Sequence, residues 1–308
     1  QDLDLGEFKW FAIRTSDPAQ LTINDQQSPY IKATMVSFIG RLNYSFKEKY
    51  LASFTGRYDG ASQLVEKWDF FPSVSVGWRI SEENFMKELA FLSNLKLRVG
   101  YGLTGNYSVD PYASLGSTTD YPLYYQFGVT ESTVNGYRTG QLSTSPKWET
   151  SNATNFGVDF GFLRNRISGS LEIYKVHTYN ILQQVVLPPT SAVTTVLENI
   201  GETKGNGIEL TINSVNIQTK DFKWSTSITF SRSTEEITYL AGGVSRDVVN
   251  GWFVGHPLQV FYDWDKVGIW QTDEAAQAAS YGSVPGDIKL NDVNADGLLN
   301  EDDRIVLG

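Results

Sequence analysis

The feature that most constrains this chain is a series of short segments in which apolar and polar residues alternate. In the stretch 37–46 (SFIGRLNYSF), Phe38 and Leu42 fall on one side of an extended chain, whereas Arg41 falls on the other. Ile39 is the one exception, because it shares the polar side. A period of two residues is typical of a β-strand whose two faces meet different surroundings.

Seven further segments alternate in the same way. The predicted strands are 37–46, 50–59, 71–80, 95–102, 155–162, 167–174, 208–213 and 223–231. A soluble β-sandwich would also alternate, since one face of each sheet meets water. Two details favour a membrane barrel. The apolar faces carry many Phe, Tyr and Trp residues near segment ends, and the polar faces carry Gly, Ser, Thr and Asn between charges. We therefore predict an all-β fold, an antiparallel transmembrane β-barrel.

The charges fix which face meets lipid. A slip of one residue in the strand register would turn Arg41, Arg57, Arg79 and Arg98 toward the membrane. A cationic side chain at the bilayer midplane costs roughly 2–4 kcal/mol, so the register is strongly specified. Arg57, Arg79 and Arg98 are therefore predicted to face the lumen, and they are candidates for contact with a ligand.

The connections between the predicted strands alternate in length. The short ones lie at 47–49, 163–165 and 217–221, and the long ones lie at 60–70, 103–154, 176–207 and after 231. Bacterial outer-membrane barrels have short periplasmic turns and longer extracellular loops. We therefore predict that 233–308 is a long extracellular loop region. On the short side, 81–94 has an N-cap serine and apolar residues at helical spacing, which predicts a short amphipathic helix.

Composition narrows the function classes. The formal net charge of −10 and the pI near 4.8 argue against a nucleic-acid partner. The chain contains no cysteine, so it has no disulfide framework and no thiolate metal site. We find no spacing of acids, histidines or serines that indicates catalysis, and we predict that the protein is not an enzyme.

Many aromatic residues fall in the predicted loops. Such side chains can stack on sugars or contact a protein partner, and the alternative is that they pack the loops together. The candidates for ligand or partner contact are Tyr121, Tyr124, Tyr125, Trp252, Trp264 and Trp270.

Six stretches carry a family resemblance. They are SFIGRLNYSFKEKYLASFTGRYDGAS (37–62), FFPSVSVGWRISEENFM (70–86), LSNLKLRVGYGLTGN (92–106), WETSNATNFGVDFGFLRNRISGSLEIY (148–174), NIGETKGNGIEL (199–210) and PGDIKLNDVNADGLLNEDDRIVLG (285–308). In this order they resemble the C-terminal half of SusC/RagA-type TonB-linked outer-membrane proteins of Bacteroidetes-type bacteria. The chain is therefore expected to be part of a larger barrel, and a complete eight-stranded barrel is the alternative.

The resemblance implies more than the fold. It implies a barrel of about 22 strands in the bacterial outer membrane. It also implies an N-terminal plug domain that contacts TonB and is absent from these residues, and a SusD-like surface lipoprotein that lids the barrel. The implied role is import of nutrients, oligosaccharides first and peptides second. A passive porin and a surface adhesion or scaffold barrel are the alternatives that alternation and loop lengths leave open.

One motif indicates a metal site. The stretch 292–303 fits the pattern D-x-N-x-D-G with a carboxylate at position twelve, which is typical of calcium-binding loops. The predicted ligands are Asp292, Asn294, Asp296, the carbonyl of Leu298, and Asp303. Position twelve is Asp rather than the longer Glu of EF-hands, which weakens the site. The prediction is a structural calcium that stiffens an extracellular loop. The alternative is an acidic loop held by side-chain bonds to its own backbone.

Overall fold

A computed structural model describes residues 31–127, 130–188, 190–191 and 193–307; within 118–127 and 130–138, and at 141 and 186, it describes the backbone alone. One sheet of eight antiparallel strands dominates it. The strands in chain order are β1 (Met35–Phe46), β2 (Tyr50–Ala61), β3 (Trp68–Arg79), β4 (Leu92–Asn106), β5 (Ser117–Phe127), β6 (Thr130–Gln141), β7 (Glu149–Phe162), β8 (Ile167–Val186), β9 (Thr195–Gln218) and β10 (Lys223–Tyr239).

The order of strands in the large sheet is β1-β2-β3-β4-β7-β8-β9-β10, and β5 pairs with β6 in a separate hairpin between β4 and β7. The prediction of an antiparallel β fold is confirmed. Within the described residues β1 and β10 form the two edges of the sheet and do not pair with each other, so this part of the chain forms an unclosed sheet.

After β10 the chain forms a loop region, residues 240–307, with much shorter elements. They are β11 (Arg246–Asp247), β12 (Trp252–Phe253), β13 (Phe261–Trp264), β14 (Lys266–Ile269), α1 (Ala275–Ser280), β15 (Ile288–Leu290) and β16 (Arg304–Leu307). These strands pair as β11–β12, β13–β16 and β14–β15. In the part of the chain that the structure describes, no helix is both long and apolar enough to cross a membrane.

The apolar face of the large sheet is exposed. Phe38, Leu42, Tyr44, Phe54 and Val76 all leave more than two fifths of their surface open. A soluble protein does not leave a contiguous surface of this kind uncovered. The alternation therefore has the meaning that the sequence predicts, because these side chains find an apolar environment only in lipid.

Aromatic stacks border this face at both ends. Near the long connections, Trp68 stacks on Phe38 and on Tyr58, with ring centroids 6.0 and 5.1 Å apart. At the short-turn end, Tyr50 stacks on Phe46 at 6.3 Å and on Trp78 at 6.4 Å. Phe38 and Phe46 are about 26 Å apart along a strand that rises about 3.3 Å per residue. Because the strands of outer-membrane barrels tilt by roughly 35–45°, this separation corresponds to about 20 Å across the membrane, which is most of their apolar band of about 25 Å.

Two expectations about the connections are wrong. Residues 81–94 do not form an α-helix; two short 3₁₀ turns, Ile80–Glu82 and Asn84–Met86, flank an extended Glu83. The carboxylate of Glu83 accepts hydrogen bonds from Lys49 Nζ (2.9 Å) and Tyr50 Oη (2.8 Å), which holds the backbone out of a continuous helix.

The second wrong expectation is the long loop at 176–207. Most of it is strand, because β8 and β9 continue their pairing up to Val186 and Thr195. A bulge interrupts the register between Thr178 and Ile181, and Asn180 has a positive φ of 56°. β8 has 20 residues and so is about twice as long as the 9–11 residues that cross a membrane.

The core of the molecule lies where the long connections meet the sheet. It is a cluster of buried residues: Ala61, Leu64, Phe71, Val109 and Trp148. The ring of Phe71 meets that of Trp148 edge-on at 5.3 Å, and the indole Nε1 of Trp148 donates to the carbonyl of Lys67 at 3.2 Å. This cluster joins the polar face of β3 to three connections on the long side.

Candidate functional site

The polar face of the sheet carries the candidate site, and the register arranges its residues in rows across the strands. One row is Arg41, Thr55, Ser73, Gly102 and Ala153, and the next is Asn43, Ser53, Ser75, Gly100 and Asn155. Because most of these side chains are small, the rows form a depression of about 580 Å³, which we call the polar groove. A neighbouring depression of about 490 Å³ shares Ser53, Ser75, Gly100 and Asn155 with it.

An ion-pair network borders the groove on the side of the short turns. Arg98 makes two hydrogen bonds to Asp159, from Nε at 3.0 Å and from Nη2 at 2.9 Å, and a third from Nη2 to Glu172 at 2.8 Å. Lys96 Nζ lies 3.8 Å from Asp159. Two cations thus meet two carboxylates across β4, β7 and β8, so the charge of Arg98 is compensated within the sheet.

The opposite border of the groove is less well compensated. Arg57 donates from Nη2 to Asp59 Oδ2 at 3.0 Å, while its enclosed Nε has no acceptor among the described residues. Arg41 donates from Nε to the hydroxyl of Thr55 at 3.0 Å. Neither Arg41 nor Arg79 lies in an ion pair within the described residues.

Among the predicted lumen-facing arginines, Arg57 lines the groove and Arg98 lines the neighbouring depression, whereas Arg79 lines neither. Arg41 was not singled out as a candidate, although it borders the groove beside Arg57. Its place on the polar side of the alternation, one row from Arg57, is the signal in the sequence that could have found it.

The loop aromatics pack against their own region. Trp270 is only 3% exposed; its ring stacks on Tyr281 at 6.0 Å and lies 4.3 Å from the ammonium of Lys289. Trp264 is half-buried, donates from Nε1 to the carbonyl of Asn300 at 3.2 Å and lies under the guanidinium of Arg304. A ligand could reach Trp270 only if these contacts opened.

The structure gives less detail on the remaining aromatic candidates. Trp252 is half-buried in β12, opposite Asp247. Tyr121, Tyr124 and Tyr125 belong to β5, but their side chains lie outside the described part of the structure. Ligand or partner contact stays a prediction for all of them.

The predicted calcium loop is closed by its own backbone donors. Asp292 accepts from the N–H of Gly297 at 2.8 Å, and Asp296 accepts from the N–H of Leu298 at 2.8 Å. Asp303, which is fully buried, accepts from the N–H groups of Val293 and Asn300, both at 3.0 Å.

A further hydrogen bond joins the predicted calcium loop to Tyr281, whose hydroxyl donates to Asp292 Oδ2 at 3.0 Å. Desolvation is the largest single influence on the pKa of Asp292 and raises it. The hydrogen bonds that the carboxylate accepts, from the hydroxyl of Tyr281 and from several backbone N–H groups, together lower the pKa by more. Asn294 donates to Asp296 at 3.0 Å. No three acidic or histidine side chains of the described residues are arranged to hold a metal ion. Backbone hydrogen bonds account for the loop's shape, and calcium stays a prediction.

A second carboxylate cluster lies at the short-turn end. Glu83 accepts from Lys49, Tyr50 and the indole Nε1 of Trp78, the last at 3.2 Å. The bond from Lys49, then those from Tyr50 and Trp78, lower the pKa of Glu83 from 4.5 to about 2. The cluster fixes the polar ends of two aromatic rings that stack at the edge of the apolar face.

Comparison with known proteins gives a consistent result. Residues 3–299 match the family model described as TonB dependent receptor-like, beta-barrel. A TonB-dependent receptor of Formosa agariphila is 31% identical over 96% of this chain and 31% of its own length. The TonB-dependent receptor SusC of Bacteroides thetaiotaomicron is 37% identical over 76% of this chain and 24% of its own length.

A solved structure of the RagAB peptide transporter superposes with a TM-score of 0.67 at 27% identity. The superposition covers 77% of this chain and 26% of that one. The chain thus spans a quarter to a third of the length of the proteins that it matches.

Proposed function

This chain belongs to the TonB-dependent receptor-like β-barrel family, and from that premise we propose that the whole protein imports nutrients across the bacterial outer membrane. In this proposal the eight-stranded sheet is part of the barrel wall. The observation that carries it is the division of the sheet into an exposed, aromatic-bordered face and a face of small polar and charged residues. The first suits lipid and the second suits a wet lumen.

The proposal extends to energy and partners. Import by this family depends on TonB, which would contact a part of the whole protein outside this chain. A SusD-like surface lipoprotein is the proposed partner on the side of the long connections. The loop region and the long β8–β9 hairpin lie on that side, so they are the elements that such a partner would meet first.

The proposed substrate is an oligosaccharide or a peptide. The polar groove supports either class, because Ser, Thr and Asn side chains hydrogen-bond to hydroxyl groups and to amides alike. The name of the RagAB structure says that it transports peptides. The resemblance to SusC-type proteins favours oligosaccharides.

The test is uptake by cells that produce the full-length protein. A set of labelled oligosaccharides and oligopeptides is offered to these cells and to cells that lack the gene. We expect uptake of one class that stops when a protonophore collapses the inner-membrane gradient. Gene-dependent uptake that continues unchanged with the protonophore would instead make the protein a passive pore. Binding to cells without any uptake would make it an adhesion or scaffold barrel.

The partner is tested separately. Affinity purification of the tagged full-length protein from outer membranes should recover a surface lipoprotein in near-equal amount. Recovery should fall when the loop region is replaced by a short Gly/Ser linker, provided that the barrel still assembles in the membrane. Equal recovery with the shortened protein would place the partner elsewhere.

A further inference from the structure

Charge compensation on the polar face is uneven. At the border next to the short turns, Arg98 satisfies its guanidinium with two carboxylates of neighbouring strands, Asp159 and Glu172. At the other border, Arg57 has one carboxylate partner and Arg41 has a hydroxyl alone. Carboxylates are present at this border too, because Asp59, the partner of Arg57, lies opposite Asp69 on β3. Of the two arginines here, only Arg41 has no ion pair among the described residues.

The two arginines are close enough to act on one group. Arg41 lies opposite Thr55, and Arg57 is two residues further along β2 on the same face. Such diagonal neighbours are about 7–8 Å apart, within the reach of two long side chains that converge on one anion. Both residues line the polar groove.

The surroundings strengthen any interaction made there. The enclosed Nε of Arg57 is a donor without an acceptor, and the neighbour of Arg57 on β3 is Phe71, a buried ring. The enclosed Nε is closed to a solute, as is Asp59 Oδ1 beside it, which has no donor among the described residues. The side chain of Arg57 as a whole is 43% exposed, so its terminal nitrogens are the donors that an anion can reach. The apolar ring of Phe71 lowers the local dielectric constant and so strengthens such a contact.

The groove has the shape that such an acceptor requires. Its floor beside the arginines consists of Thr55, Ser73 and Gly102, and a Cβ on Gly102 would approach Ser73 Cβ to 2.9 Å. Hydroxyl groups can add neutral hydrogen bonds to the two guanidinium groups. A planar carboxylate matches a guanidinium fork better than a spherical anion does.

We propose that Arg41 and Arg57 bind a carboxylate group in the polar groove. The carboxylate comes either from an imported solute, such as an acidic sugar or the end of a peptide, or from an acidic side chain elsewhere in the whole protein. The first source rests on the proposed import function, whereas the second does not.

The first experiment measures binding by the purified full-length protein in detergent, with glucuronate as the probe and glucose as its uncharged counterpart. A solute site predicts that glucuronate binds and glucose does not. Arg41→Gln and Arg57→Gln should each weaken glucuronate binding about tenfold or more, because each removes a charge-assisted hydrogen bond. Arg232→Gln, an exposed arginine on β10 outside the groove, is the control and should leave binding unchanged.

The second experiment detects an internal partner, which would occupy the site and prevent glucuronate from binding. The melting temperatures of Arg41→Gln and Thr55→Val are compared in the full-length protein. Both variants break the same Arg41–Thr55 hydrogen bond, but Arg41→Gln alone removes the charge. A clearly lower melting temperature for Arg41→Gln than for Thr55→Val indicates an acidic partner elsewhere in the whole protein.

The results separate the two proposals. If glucuronate does not bind and the two variants melt alike, the carboxylate site is wrong, whatever the uptake assay gives. If glucuronate binds through the two arginines but no solute is imported, the site stands and the proposed import function fails.

Discussion

The wall, formed by β1–β4 and β7–β10, and the loop region are held together in different ways. On the wall the large apolar side chains are the exposed ones, and order comes from long ladders of backbone pairing. In the loop region the strands have two to four residues, and a few apolar side chains such as Phe253 and Trp270 are buried, whereas others such as Phe261 are exposed. Near residue 240 the chain therefore changes from a sheet held by long backbone ladders to a region of short strands around a few buried side chains.

The difference shows what holds each region together. An inner strand of the wall is paired with two neighbours through many backbone hydrogen bonds, so the loss of one side chain leaves the ladder intact. The loop region depends on individual contacts, such as the guanidinium of Arg304 over the rings of Tyr262 at 4.8 Å and Trp264 at 5.1 Å. Substitutions in the wall should matter according to the face they touch, and substitutions in the loop region according to burial.

The largest expected effect tests an exception to this rule. Phe71 belongs to the wall, yet it is only 3% exposed in the buried cluster, whereas the adjacent Phe70 is 49% exposed on the apolar face. We expect Phe71→Ala to lower the free energy of unfolding of the full-length protein by about 3–5 kcal/mol, because it leaves a cavity against Trp148. Phe70→Ala should cost much less. Denaturant unfolding in micelles measures both, and equal losses would remove the special role of the cluster.

The next effect tests the two faces of the wall. Leu42 and Asn43 are neighbours in β1 on opposite faces. Leu42→Arg should destabilise the membrane-inserted protein by about 2–4 kcal/mol, since it places a cation against lipid. Asn43→Arg should have little effect, because Asn43 lies on the polar face and lines the depression next to the polar groove. Unfolding from lipid vesicles provides the measurement; similar losses for both variants would mean that the apolar face does not meet lipid.

The loss of the Asp303 carboxylate should have a smaller effect on stability, and that effect should be confined to the loop region. Asp303→Ala removes a fully buried carboxylate and leaves the N–H groups of Val293 and Asn300 without their acceptor, which we expect to cost about 1–3 kcal/mol. Hydrogen exchange should become faster in 285–307 and stay unchanged in β2 and β3. Exposed Asp302 is the matched control for alanine substitution. Faster exchange across the wall would show that the two regions unfold as one unit.

Calcium provides a test of the same loop. If a calcium ion binds there, the purified full-length protein should contain it in stoichiometric amount, and Asp292→Ala combined with Asp296→Ala should remove it. Metal analysis after dialysis against buffer without chelator measures the content. Equal content before and after the double substitution would refute the site.

The smallest effect concerns the short-turn end of the wall. The lowered pKa of Glu83 means that its bonds to Lys49, Tyr50 and Trp78 stabilise the fold fully above the usual pKa of 4.5. This contribution is lost progressively as the pH falls from 4.5 toward about 2. Glu83→Gln should flatten the pH dependence of the unfolding midpoint in that window. Near neutral pH the slope of the midpoint against pH should be the same in both proteins. An unchanged slope in the acidic window would mean that the cluster does not contribute to stability.

The strands of the wall could be predicted from sequence because the alternation of apolar and polar residues within each strand reflects the different surroundings of its two faces. Arg41, Arg57 and Arg98 lie on the polar face where the alternation places them. The prediction failed where the period was broken. Around Asn180 two register shifts that cancel each other, between Thr178 and Ile181 and between Ile181 and Leu182, interrupt the pairing of β8 and β9. Beyond them the stretch 183–186 (QQVV) does not alternate, although it is paired.

Other features depend on partners that are distant in the chain. The helical spacing in 81–94 indicated a helix, but Glu83 is bonded to residues of β2 and β3, which the local pattern does not contain. Phe71 occupies a polar-face position because Trp148, 77 positions later, covers it. The uneven charge compensation around the polar groove likewise depends on strand register, which brings Arg98 to Asp159 and Glu172 and leaves Arg41 with Thr55.

The rows of small residues on the polar face also have a definite inclination to the membrane plane. Strands of outer-membrane barrels tilt by roughly 35–45° from the barrel axis, so a row that crosses them at right angles is inclined by the same angle to the membrane plane. The row from Arg41 to Ala153 spans five strands, about 19 Å at a strand spacing of about 4.8 Å. Its two ends therefore differ in depth by about 12 Å. The polar groove is therefore inclined to the membrane plane, and a molecule that moves along the groove turns around the barrel axis as its depth in the membrane changes.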